Sequence, residues 1–171
     1  PSGRSGFRGQ GVSGAMTGSV QPFISTVPGS LDSKGRVCIP ATYRHILSAQ
    51  NTIGVYVAPS FIDSALDAFG QPLLDSIAAR LAAQDPFFSA SFDDEATALI
   101  ARTQNLPIDE NGRVRIPDAL IEHAGLKDKI VFVGKAQKFQ IWDADAYAPI
   151  EADALARVKA RMERARSGEA T

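Results

Sequence analysis

The chain has 171 residues, of which 44% are apolar and 22% charged, and its net charge is −1. That is the composition of one ordinary globular domain, or of two small units sharing a core, and it excludes a chain dominated by disorder or low complexity. No stretch approaches the roughly 18 consecutive apolar residues of a helical membrane span, and one cysteine, Cys38, rules out an internal disulfide framework and a multi-cysteine zinc site.

Residues 1–22 are rich in Gly and Ser, carry only Arg4 and Arg8 as charges, and lack the apolar run of a secretory signal. They are expected to be a disordered extension or a tag remnant, because so little apolar surface cannot offset the entropy of ordering them. From about Phe23 the chain repeats itself. Leu31-Asp32-Ser33-Lys34-Gly35-Arg36-Val37-Cys38-Ile39-Pro40 returns 77 residues later, without a gap, as Ile108-Asp109-Glu110-Asn111-Gly112-Arg113-Val114-Arg115-Ile116-Pro117. In each copy a turn dipeptide (Lys34-Gly35, Asn111-Gly112) leads into an alternating strand that a proline ends. A short helix is predicted over 41–47 and 118–124, the second closed by Gly125. Strands follow at 52–58 and 129–134, with Ile53 on Ile130 at the same spacing, then at 64–68 and 138–142.

Three helices lie outside the repeat. Pro72 opens the first, whose stripe is Leu73, Leu74, Ile77, Ala78 and Leu81, and Pro86 ends it. Ser91-Phe92-Asp93-Asp94 reads as the capping box of the second. The last begins near Asp143 or Pro149, with Leu155, Val158 and Met162 on one side and a solvated, arginine-rich face on the other. The chain thus divides into 1–22, a first half 23–84, a connecting helix 85–105, a second half 106–148, and a C-terminal helix and tail 149–171.

Charge is uneven. Residues 31–47 carry Lys34, Arg36 and Arg44 against Asp32, whereas 48–105 hold seven acids against Arg80 and Arg102. A net charge near zero therefore leaves room for a basic face. Asp32 and Arg36 flank the first turn, and Asp109 and Arg113 the second. Across a three-residue hairpin loop such a pair faces, and the carboxylate can fix the guanidinium's direction. Taken singly, this is a surface staple. Repeated with Gly-Arg identical in both copies, it also suits an arginine held out to read guanine, on a two-stranded ribbon that fits the major groove.

Other chemistry is excluded. Asp109-Glu110-Asn111-Gly112 is no calcium loop, since its twelfth position is Leu120 rather than Glu. There is no phosphate loop and no nucleophile–base pair. His45 and His123 read as capping or surface residues, and Cys38 as an inert outward strand position. No enzyme, cofactor, metal, small-molecule substrate or membrane partner is expected.

The two DxxxR segments resemble those of the MraZ family, bacterial transcription regulators related to the swapped-hairpin AbrB-like DNA-binding proteins. Leu31, Ile39-Pro40 and Tyr43-Arg44 around the first, and His123-Ala124-Gly125-Leu126 after the second, extend the match. Lys138-Phe139-Gln140-Ile141-Trp142-Asp143 resembles the family's end-of-domain strand, so the resemblance runs from about Phe23 to the C-terminal helix. It implies an α+β fold, a double-split β-barrel of two AbrB-like halves with additional packing helices. It implies a homo-oligomeric ring, cytoplasmic and nucleoid-associated. That ring would bind double-stranded DNA at short G-rich direct repeats, in the promoter of the division and cell-wall gene cluster. Arg36 and Arg113 would then be the DNA readers, Lys34 and Asn111 their DNA-binding neighbours, and Asp32 and Asp109 the orienting carboxylates. Two features depart from the family: residues 1–22 precede its usual start, and Glu110 places an acid beside the second tip, which is expected to hold phosphate less strongly. A second class of function stays open, a ring-forming assembly protein whose tips contact a protein partner.

Overall fold

The computed structural model describes residues 20–168, so the expected disordered extension, with Arg4 and Arg8, lies largely outside the described residues. Each half lays down the same elements in the same order. The first gives β1 (Thr26–Ser30), β2 (Arg36–Cys38), α1 (Ala41–Ala49), β3 (Val55–Pro59) and β4 (Leu66–Phe69). Next come α2 (Gln71–Ala82) and α3 (Ala90–Glu95), which runs into a π-helical turn at Ala96–Ala101. The second half gives β5 (Gln104–Leu106), β6 (Arg113–Arg115), α4 (Asp118–Ala124), β7 (Lys129–Lys135) and β8 (Lys138–Asp143), and α5 (Ala144–Arg166) follows. The fold is α+β.

The halves are interlocked. β1 pairs with β7, β3 with β5, and β4 with β8, building an open antiparallel sheet ordered β1-β7-β8-β4-β3-β5. β2 pairs with β6 in a separate two-stranded ribbon centred on Val37 opposite Val114. Only the β3–β4 and β7–β8 hairpins pair within a half. The sheet edges suit their residues: β1 carries Pro28, which an edge strand tolerates, and β5 is only three residues long.

One core serves both halves. Val37, Ile39, Tyr43 and Leu47 from the first meet Val114, Ile116, Leu120 and Ala124 from the second. Phe139 on β8 lies at its centre, 4.8 Å from the Tyr43 ring and 5.0 Å from Phe23 between centroids. The buried Tyr43 hydroxyl donates to the carbonyls of Ile24 and Ser25, pinning a residue in the left-handed region (Ser25, φ 72°) just before β1.

Several boundaries differ from the sequence reading. After the tips, the strands do not continue as hairpins: the first tip keeps only an isolated bridge, Leu31 to Val37, before β2 crosses to β6. The 77-residue spacing holds through Pro40 and Pro117 but not beyond the helices. α1 has nine residues against seven in α4, and Val55, not Ile53, takes the buried position of Ile130. α2 stops at Ala82, before Pro86. The cap of α3 is Ser89, whose Oγ accepts from the Phe92 N–H at 3.1 Å, whereas Ser91 lies inside the helix and donates to Glu95. α5 starts directly after Asp143, which accepts from the Ala146 N–H, and Pro149 is internal. Leu155, Val158 and Met162 are exposed on α5.

Candidate functional site

Each tip is built around one aspartate. In the first, the Asp32 N–H donates to the Arg36 carbonyl and the Gly35 N–H donates to the Asp32 carbonyl, both at 3.0 Å, closing a three-residue loop. The Asp32 carboxylate accepts from the Lys34 and Arg36 backbone N–H groups at 2.9 and 2.8 Å, and from Arg36 Nε at 2.7 Å. The second tip repeats this, with Asp109 accepting from the Asn111 and Arg113 N–H groups, both at 2.9 Å. Gly35 and Gly112 take φ of 76° and 78°, the left-handed conformation that closes such loops.

The tips differ in how firmly the arginine is held. Arg113 Nε lies 3.4 Å from Asp109 Oδ2 and finds no well-formed hydrogen bond among the described residues, so it is held more loosely than Arg36. The helix beneath each glycine differs as well. A Cβ on Gly35 would meet the Ile121 side chain of α4, whereas one on Gly112 would meet the Arg44 guanidinium of α1. Arg44 is fixed there by donating from Nε to the Ile39 carbonyl at 3.0 Å. The second tip, which Glu110 makes less basic, thus gains a cation from the opposite half.

The ribbon joins both tips into one surface. The Ile39 N–H donates to the Gly112 carbonyl and the Ile116 N–H to the Gly35 carbonyl, so each tip is anchored by the other half's strand. Val37 and Val114 are buried, and strand alternation puts Arg36, Cys38, Arg113 and Arg115 on the opposite, outward face. Arg36 and Arg113 are diagonal neighbours across the ribbon, about 7–8 Å apart. Lys34 and Asn111 are exposed at the two loop crests. All six residues proposed from the sequence therefore belong to one ribbon and its ends. Sequence reasoning missed Arg44 as a tip support and Arg115 as a member of the face; the signal for Arg115 was its place two residues after Arg113.

The backbone N–H of Arg36 is the main cause holding the Asp32 carboxyl below the usual aspartate pKa, and that of Arg113 does the same for Asp109. A depressed folded-state pKa means that the tip interactions are fully present above the ordinary aspartate range and are lost as pH falls through the lowered values. Carboxyl chemical shifts followed through an acid titration are therefore expected to place both midpoints below those of a free aspartate. Midpoints at or above the ordinary value would contradict the hydrogen-bond geometry.

Among the described residues no group of three or more His, Cys, Asp or Glu side chains could hold a metal ion, and no helix is long and apolar enough to cross a membrane. A family model described as "MraZ protein, putative antitoxin-like" matches residues 99–166, which include the second tip. A protein named "Transcriptional regulator MraZ" from Xanthobacter autotrophicus is 39% identical over 137 residues, covering 80% of this chain and 87% of that relative. One of the same name from Pelagibacter ubique is 35% identical over 143 residues, covering 84% and 90%. Another from Rhizobium rhizogenes is 32% identical over 133 residues, covering 77% and 90%.

Proposed function

Because the chain belongs to the MraZ family, we propose that it is a transcription regulator that binds double-stranded DNA through the β2–β6 ribbon and reads short G-rich direct repeats. The observation that carries this reading is the pair of aspartate-oriented arginines, Arg36 and Arg113, on one outward ribbon face. With Nε directed at Asp32, the Arg36 fork is presented as two terminal NH groups, the geometry that matches guanine O6 and N7. Lys34 and Asn111 flank the readers and contact the backbone. The interlocked pairing of the halves supports a double-split arrangement of two AbrB-like units, with the chain divided as the repeat divides it. Several subunits in a closed ring present many tips, and the target is the promoter of the division and cell-wall cluster.

Arg36→Ala is expected to cost about 1–3 kcal/mol in binding the cognate repeat and to relax discrimination at one base. Arg36→Lys does not restore it, because a point charge lacks the planar fork. Arg113→Ala acts in the same direction but more mildly, since Glu110 lowers the potential there. Titration of a duplex from the chain's own upstream region, against a scrambled duplex, checks this once melting and oligomer mass match the parent. Unchanged affinity and preference in both folded variants would make the tips structural staples, and salt-independent capture of a protein would favour the assembly reading.

A further inference from the structure

Arg115 lies directly opposite Arg36 across the ribbon. The hydrogen bonds between strands fall at Gly35–Ile116 and Ile39–Gly112. By alternation, Arg36 and Arg115 form a pair without hydrogen bonds, the kind whose Cα atoms are about 4.5 Å apart and whose side chains stand closest. Like charges directly opposite repel. Asp32 offsets only one of these two, since Arg115 is exposed and takes part in no ion pair among the described residues. At the other end of the ribbon Cys38 stands opposite Arg113, and the second cation there, Arg44, is tied through Nε to the Ile39 carbonyl. Like-charge repulsion on an exposed strand pair is relieved when an anion bridges the two groups.

We infer that Arg115 is a DNA-phosphate contact, gripping the backbone beside the base that Arg36 reads. This rests on the DNA-binding reading above and extends it to a residue outside the DxxxR pattern. The division of labour follows from the clamps. Arg36 is aimed by Asp32, as base recognition requires, whereas Arg115 has no partner to aim it among the described residues and can follow a backbone.

The test titrates the upstream-region duplex and its scrambled counterpart at 50 and 200 mM salt with the parent, Arg115→Ala, Arg115→Lys and Arg36→Ala proteins. Arg115→Ala is expected to weaken both duplexes alike and to lower the salt slope by about one, so the affinity lost between the two salt concentrations shrinks about three- to fourfold. Arg115→Lys keeps the slope, since a phosphate contact needs charge and not a fork. The melting temperature of Arg115→Ala is expected to stay level or rise, because a repulsion has gone. An unchanged slope in Arg115→Ala, with cognate preference lost in Arg36→Ala, overturns this inference and leaves the function standing. A lowered slope in Arg115→Ala with full preference in Arg36→Ala does the reverse. No effect in either variant overturns both.

Discussion

A duplex carrying several direct repeats in tandem is expected to bind about 10²–10⁴-fold more tightly than a duplex carrying one, as effective concentration alone can supply. One chain offers a single ribbon with two tips, and its net charge of −1 gives no general attraction to DNA. In the proposed ring, docking of one ribbon would let its neighbours meet the next repeats intramolecularly. The gain depends on geometry, so lengthening the spacer between repeats should erode it steeply. Affinity measured against repeat number and spacer length, at fixed salt, is the check. Equal affinity per repeat for single and tandem sites would defeat the proposal that several ribbons engage at once.

Phe139→Ala is expected to remove about 3–5 kcal/mol of folding stability, a large part of the roughly 5–15 kcal/mol a domain possesses. Phe139 is fully buried on β8, a strand paired on both sides, by β7 and β4. Its ring meets Phe23 from the segment before β1, Tyr43 from α1 and Phe132 from β7, so both halves contribute. None of these can collapse into the space without moving a strand or α1. Phe88→Ala is the control, because Phe88 is 90% exposed and its removal should change stability by no more than about 0.5 kcal/mol. Urea unfolding at fixed protein concentration compares them. A loss below about 1.5 kcal/mol for Phe139→Ala would show that the two halves do not share one core.

Local chemistry was legible in the sequence wherever it depends on neighbours along the chain. Asp32 with Arg36 and Gly35, and Asp109 with Arg113 and Gly112, announce a carboxylate-closed loop because all its partners lie within five residues. The choice of strand partner was not legible. Val37 pairs with Val114 rather than completing its own hairpin, and nothing in alternation distinguishes two identical Val positions. Arg115 stayed hidden for that reason: its meaning comes from Arg36 in the other half. The two extra residues of α1 escaped a fixed spacing, because the length of each helix is set at its own end rather than by the repeat. Ser89 and Ser91 are both plausible caps by type, and only the hydrogen bond to Phe92 separates them.

The crossed pairing of β1 with β7 imposes a waiting time during synthesis. β1 ends at Ser30, and its partner strand begins at Lys129. At bacterial elongation rates of about 5–20 residues per second, roughly 5–20 seconds pass between the two leaving the peptidyl transferase centre. Through most of that interval the first half has β3 and β4 to pair with each other, while β2 waits for β6 at Arg113 and β1 waits longer still, for β7. A nascent chain paused after α2 should therefore be sensitive to protease and recognised by chaperones, then become resistant abruptly once β7 and β8 emerge. The second half is therefore last in time, as the template on which the first becomes ordered.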